Sequence, residues 1–331
     1  MTPGARISAA IEILDAMAEG TPAEQAMTRW ARSSRFAGSK DRAAVRDHVF
    51  DVLRQRRQVA HMGHGETGRG LMIGLLRVQG IDPVPLFNGE GHAPRPLAEA
   101  DLEVPLPPTD EATAWNLPDW IIPEFKASLG DRADLTAKAL QTRAPVTLRV
   151  NVARVNVIAA MEKLSQEGIE TRANPLAPTA LTVIAGERKI RNSFSYSEGD
   201  IELQDASSQA VVAAMPHGAR VLDYCAGGGG KALAIAMDSD TAVFAHDIDP
   251  ARMRDLPARA TRAGVTVHHL DAENMTAQTP FDVVLCDAPC SGSGAWRRSA
   301  EGKWTLSEQR LKGLTQIQDD ILDKAAKLTA N

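Results

Sequence analysis

The chain reads as an α/β protein whose last third is a Rossmann-like, doubly wound parallel sheet. Three observations predict this. Apolar, β-branched runs recur at residues 220–224, 241–246, 265–269 and 282–286, with helical stretches such as 250–263 between them. Strands that alternate with helices close into parallel sheets. Four glycines, Gly227 to Gly230, follow the first run at once, where such folds turn tightly against a ligand. The fourth run ends in Asp287-Ala288-Pro289-Cys290. A carboxylate and a thiol therefore stand just past the carboxyl end of a buried strand, where open α/β sheets bind ligands.

Earlier elements follow in order. Ile7, Ala10, Ile11, Leu14 and Met17 recur at helical steps. Thr21-Pro22-Ala23-Glu24 has the form of a capping box with proline in the first turn, which predicts a second helix there. A third helix carries Val45, Val49, Val52 and Leu53 inward and Arg42, Arg46, Arg54, Arg56 and Arg57 along its length. That arginine set either grips RNA phosphates or forms a solvated face. Residues 83–123 hold nine prolines, too many for interior helices or central strands, so a linker or wrapping segment is expected. Leu102, Val104 and Leu106 suggest that it packs on a neighbour. A small α/β unit follows, with a strand at 146–151, a helix at 155–166 and short strands near 168–172 and 181–184. It is either an RNA-binding sheet or a spacer. The expected domains are an all-α unit at 1–82, the proline-rich segment at 83–125, the small α/β unit at 126–200 and the parallel-sheet domain at 201–331.

Bulk properties narrow the class. At 331 residues, several domains are expected. The net charge of −5 offers no global basic field, so a nucleic-acid partner needs a local patch. Cys225, Cys286 and Cys290, odd in number and clustered late, argue for a reducing compartment; with no leader or membrane-length apolar run, the cytoplasm is expected.

The glycine turn is Cys225-Ala226-Gly227-Gly228-Gly229-Gly230-Lys231. It is not a phosphate-binding P-loop, since no Ser or Thr follows the lysine. The second strand ends in His246-Asp247-Ile248-Asp249, which places an acid to hold ribose hydroxyls, and the third ends at Asp271, on the adenine side. S-adenosylmethionine suits this pattern better than a nicotinamide. A metal is not expected, because the strand-to-loop geometry of Cys286 and Cys290 points the thiols apart.

At these residues the chain resembles the Sun/Fmu-type family of RNA cytosine-C5 methyltransferases. Residues 201–209 (Ile-Glu-Leu-Gln-Asp-Ala-Ser-Ser-Gln) look like its opening motif, and Cys225 to Lys231 like its cofactor loop. Asp287 to Gly292, followed by Arg297, Arg298, Lys303 and Trp304, look like its substrate loop. The helical beginning is similar to the NusB-like domain of the ribosomal-RNA members. The resemblance implies that Cys225, Ala226, Gly227, Gly228, Gly229, Gly230, Lys231, Asp247, Asp271 and Asp287 bind S-adenosylmethionine, Asp271 on the adenine side, and that Asp287 is also catalytic, binding the cytosine edge. Arg297, Arg298, Lys303 and Trp304 are expected to contact RNA, Trp304 either stacking on it or packing at a rim. The expected partner is RNA, ribosomal ahead of transfer RNA, with the protein a monomer and no membrane contact.

Two departures stand out. Gly227 and Gly228 replace the family's Ala-Pro, so a less preorganised turn is expected. The family's attacking cysteine, in a Thr-Cys-Ser motif on the next strand, is not in the 331 residues. Three readings follow: the nucleophile lies beyond Asn331, with Cys290 the releasing residue and residues 283–285 an unpaired edge; Cys290 is itself the nucleophile; or the protein is a catalytically silent cofactor- and RNA-binding factor that docks on ribosome precursors.

Overall fold

The computed structural model describes residues 1–330. The chain divides into two compact units, residues 1–144 with 291–312, and residues 145–290 with those from 313 onward.

The first unit is built on five helices, α1 (Pro3–Ala18), α2 (Ala23–Ser33), α3 (Ser39–Arg54), α4 (Arg56–Met62) and α5 (Gly68–Val78). Thr2 caps α1 by accepting from the Ala5 N–H at 3.2 Å, and Pro3 opens the helix. Ile7, Ile13, Val49, Val52, Met72 and Leu75 form its core. The capping box expected at Thr21 is absent. The free N–H of Ala23 instead donates to Glu301 Oε1 at 3.0 Å, from a residue 278 positions away. Phe87 anchors the proline-rich stretch in the helical core, with Leu86 and Leu97 packed against it, whereas residues 102–106 are held by their backbone. His61 Nε2 lies 2.8 Å from the Leu106 carbonyl and His64 Nε2 2.8 Å from that of Glu103, while Leu102, Val104 and Leu106 stay exposed.

The segment after Cys290 belongs to this helical unit, not to the parallel-sheet domain as expected. Ala300 and Trp304 join the helical core. Lys303 is fully buried, and its ammonium donates to the Arg54 carbonyl at 2.7 Å. Trp304 Nε1 donates to the Leu53 carbonyl at 2.7 Å, so both side chains cap the carboxyl end of α3. Arg54, itself buried, returns a bond from Nε to the Arg297 carbonyl at 2.9 Å.

The second unit holds two sheets. Strands β1 (Thr147–Val150), β2 (Glu170–Ala173), β3 (Ala180–Ala185) and β4 (Ile201–Leu203) form an antiparallel sheet in the order β2-β3-β1-β4. Leu148 is in register with Leu181 on one side and Leu203 on the other. Strands β5 (Arg220–Asp223), β6 (Ala242–Ala245), β7 (His268–His269) and β8 (Val283–Leu285) form a parallel sheet in the order β7-β6-β5-β8. The first three strands progress outward on one side, and the fourth returns to the other side of β5. That reversal opens a crevice between the carboxyl ends of β5 and β8. The free side of β8 is partly covered: the Phe281 N–H donates to Leu328 O at 2.9 Å and the Ala330 N–H to Phe281 O at 2.8 Å. Among the described residues no helix is long and apolar enough to cross a membrane.

Burial, and then the neighbouring Arg54 guanidinium, pull the Lys303 ammonium down to about 7. Between pH 7 and the ordinary lysine value of about 10.4, the unfolded chain keeps a proton that the folded chain releases. Stability from this group therefore rises with pH across that window. The thermal midpoint of the parent should climb relative to Lys303→Met between pH 7 and 9; parallel curves would contradict this.

Candidate active site

The glycine turn is held by charged side chains converging from both sheets. Gly227 (φ +53°) donates its N–H to Asp247 Oδ2 at 2.8 Å. The Gly228 carbonyl accepts from Arg259, and the Gly230 carbonyl accepts from Arg149 Nη1 at 2.7 Å. Arg149, at the centre of the antiparallel sheet, is buried and also donates to Gln204 Oε1 at 2.7 Å. Burial pulls its guanidinium down to about 10, against the opposing pull of Glu202. Glu202, buried too, pairs with Arg262 at 2.6 Å and Arg259 at 3.4 Å. Gln209 Nε2 donates to Leu148 O at 3.1 Å and Gln204 O at 3.2 Å. The motif at residues 201–209 is thus the clasp that ties the antiparallel sheet to the turn. Pairing with these groups offsets the looser backbone expected of Gly227 and Gly228.

The strand ends carry the acids. Asp247 is buried, and besides Gly227 it accepts from the Asp249 N–H at 3.0 Å and pairs with Arg252 at 3.1 Å. A cleft of about 480 Å³ opens beside it, lined by Asp247, Ile248, Pro250, Met253, Leu270 and Asp271 among others. Apolar walls with an acid at each end suit a nucleoside. Asp271 lines this cleft but also caps the next helix: its two oxygens accept from Asn274, from the backbone N–H at 2.7 Å and from Nδ2 at 2.9 Å.

Asp223, at the end of β5, is a candidate site residue that the sequence does not single out, since its strand reads on through Tyr224. Its Oδ2 accepts from the Ala232 N–H at 3.0 Å, while Oδ1 is buried without a partner among the described residues. Burial pushes its carboxyl up to about 7, with Lys231 acting the other way. An orphaned carboxylate oxygen behind the glycine turn, together with the apolar cleft beside Asp247, fits a cationic nucleoside such as S-adenosylmethionine.

Across the crevice, Lys231 Nζ pairs with the carboxylate of Asp287, which joins the cofactor turn to the loop after β8. The Pro289 carbonyl accepts from Gln318 Nε2 at 2.7 Å, a support that lies far along the sequence. Cys290 is exposed, Cys286 half-buried, and burial pushes the half-buried Cys225 up to about 11. The Ala226 N–H donates to His246 O at 2.9 Å, which ties the start of the turn to the end of β6. The expected RNA contacts are placed differently. Arg297 donates to the carbonyls of Thr142 at 3.1 Å and Arg143 at 3.0 Å, and Lys303 and Trp304 cap α3 as above. Lys303 is buried, while Arg297 and Trp304 are half-buried and bonded to protein; Arg298 also has a partner in the structure. The nucleophile expected beyond Asn331 lies outside the described residues.

The fold is that of a Rossmann-like, S-adenosylmethionine-dependent methyltransferase domain. Residues 210–331 match the family described as 16S rRNA methyltransferase RsmB/F, and residues 117–188 match the ferredoxin-like domain of RsmF/B-like methyltransferases. The chain is 31% identical over 319 residues to ribosomal RNA small subunit methyltransferase B of Xylella fastidiosa (strain Temecula1), covering 86% of this chain and 73% of that one. It is also 31% identical over 301 residues to the probable ribosomal RNA small subunit methyltransferase B of Bacillus subtilis, covering 87% of this chain and 62% of that one. The chain belongs to the RsmB/F methyltransferase family. It spans about half the length of others, such as the Photorhabdus laumondii protein, at 50%. Among solved structures, PH0851 superposes with a TM-score of 0.73 at 20% identity, over 99% of this chain and 84% of that one. NSun6 from Pyrococcus horikoshii gives 0.54 at 15% identity, over 64% and 80%.

At Gly229 (φ +75°) a Cβ would overlap the Leu256 side chain, lying 2.8 Å from Cδ2. Gly229→Ala should therefore destabilise the fold by about 1–3 kcal/mol through strain and overlap. Calorimetry should also show S-adenosylmethionine binding weakened well beyond the loss seen for Gly294→Ala, where the added Cβ meets open space.

Proposed function

We propose that this protein transfers the methyl group of S-adenosylmethionine to C5 of a cytosine in small-subunit ribosomal RNA. The observation that carries the proposal is the Lys231–Asp287 pair, which sets an exposed carboxylate beside the cofactor turn and three residues before an exposed thiol. The names of the relatives support ribosomal RNA as substrate. The cofactor supplies an electrophilic methyl group. Asp287, oriented by Lys231, receives the Watson–Crick edge of a flipped cytosine and favours its protonated ring, which eases thiol addition at C6 and makes C5 nucleophilic. After transfer, Cys290 takes the C5 proton; the electrons of that C–H bond re-form the ring double bond as the C6–S bond breaks. Gln318 steadies this loop through the Pro289 carbonyl. Three unpaired thiols suit the reducing cytoplasm as the place of action.

The assay is transfer of labelled methyl groups to unmodified small-subunit ribosomal RNA, followed by digestion to nucleosides. Label should appear in 5-methylcytidine, and Asp287→Asn should lower the rate by roughly 10²–10⁴-fold. Tight binding of cofactor and RNA with no transfer would favour the catalytically silent factor, and label on another base or atom would overturn the C5 assignment.

A further inference from the structure

The arginines of the helical unit are not equivalent. Residues 1–78 contain eleven, and eight hold a carboxylate or a backbone carbonyl, among them Arg46 on Glu24 at 2.6 Å, Arg56 on Glu66 at 2.7 Å and Arg57 on Asp119 at 2.8 Å. The set on α3 and α4 that the sequence singles out is thereby committed within the protein, Arg46, Arg54, Arg56 and Arg57 to carboxylates and Arg42 to the Ala37 carbonyl. The three that remain, Arg29, Arg32 and Arg35, are neighbours on the second half of α2 and the turn after it. All three are exposed, and none has an ion pair or side-chain hydrogen bond among the described residues. Lys40, at the start of α3, is exposed and uncommitted in the same way.

The acids flanking this stretch do not compensate it. Glu24 is paired with Arg46, and Asp41 with Arg6 and the chain's amino terminus. Four positive charges thus stand together on a chain whose net charge is −5. Between Arg35 and Lys40 the turn presents Phe36, 77% exposed. Glu24, Gln25, Thr28, Arg29, Arg32 and Ser33 line a shallow groove along the outer side of α2; Glu24 is taken up by Arg46, so two unpaired guanidinium groups share one channel with two hydroxyls.

We propose that this groove and the α2–α3 turn form a docking surface for single-stranded RNA, with Arg29, Arg32, Arg35 and Lys40 on phosphates and Phe36 stacked on a base. Uncompensated cations recognise a polyanion, and an exposed ring beside them selects a strand whose bases are unstacked. A duplex offers that ring nothing to stack on, and a lone phenyl is too little apolar surface for a membrane. The choice of RNA rests on the function proposed above.

Binding of the full chain to a fluorescent single-stranded RNA, measured against salt, tests this. The variant Arg29→Gln/Arg32→Gln/Arg35→Gln should bind roughly ten- to a hundred-fold more weakly at 0.15 M salt, with the log–log slope shallower by about 2. Phe36→Ala should weaken the single strand about ten-fold and leave duplex RNA unchanged. A control removing the same charge elsewhere on the unit, Arg95→Gln/Arg132→Gln/Lys138→Gln, should bind like the parent. Unchanged affinity and slope in the triple variant would overturn this surface while leaving the methyltransferase reading intact. Competition by poly-glutamate as strong as by RNA would also overturn it. A parent chain that binds no RNA would overturn both.

Discussion

The site depends on one constraint: four consecutive glycines must hold a single conformation. Glycine loses more backbone freedom on ordering than any other residue, so Gly227 to Gly230 would not stay fixed by themselves. They are held because ionised side chains bond their backbone from three directions, Asp247 on the Gly227 N–H, Arg259 on the Gly228 carbonyl and Arg149 on the Gly230 carbonyl. Hydrogen bonds to charged groups contribute about 1.5–3 kcal/mol each, enough to offset the flexibility of the turn. Arg149 is buried, so it needs these partners as much as the turn needs it; with Gly230 or Gln204 removed, its charge would be left with less than burial costs.

From this clasp the rest of the chemistry follows by position. With the turn fixed, Lys231 is delivered to the crevice where β5 and β8 part, and there it meets Asp287. Asp223 lies beneath, its second oxygen unpartnered among the described residues, and Asp247 lines the apolar cleft on the far side of β5. Each of these acids stands at a strand end because a parallel sheet brings all carboxyl ends to one edge. Register reinforces the convergence, since Asp223 pairs with Ala245 on one side and Leu285 on the other.

Local patterns were legible in the sequence and distant partners were not. The four strands of the parallel sheet, the glycine turn, Asp247 and Asp287 announce themselves through apolar runs and the residues that end them. Asp223 hides inside such a run. Glu202 and Gln204 could be read only as part of a motif, because their work is to meet Arg149, Arg259 and Arg262 across the fold. Lys303 and Trp304 look like basic and aromatic nucleic-acid contacts. They cap α3 instead, because its carboxyl-terminal carbonyls lie about 250 residues earlier, at separations of 249 and 251. Thr21 likewise reads as a cap, and Glu301 takes its place. Charge is visible in a sequence; whether a charge is already answered is visible only in the fold.

The central claim is that this pinned turn and the adjoining cleft are the seat of S-adenosylmethionine. Calorimetric titration of the cofactor into the parent and into Asp247→Asn tests it most directly, since the amide keeps the shape of the side chain and removes its charge. The account predicts one site per chain in the parent and, in a variant that still folds at the assay temperature with a lowered thermal midpoint, an affinity lowered at least about ten-fold. Equal affinity in the two proteins, or no saturable binding to the parent, would contradict it.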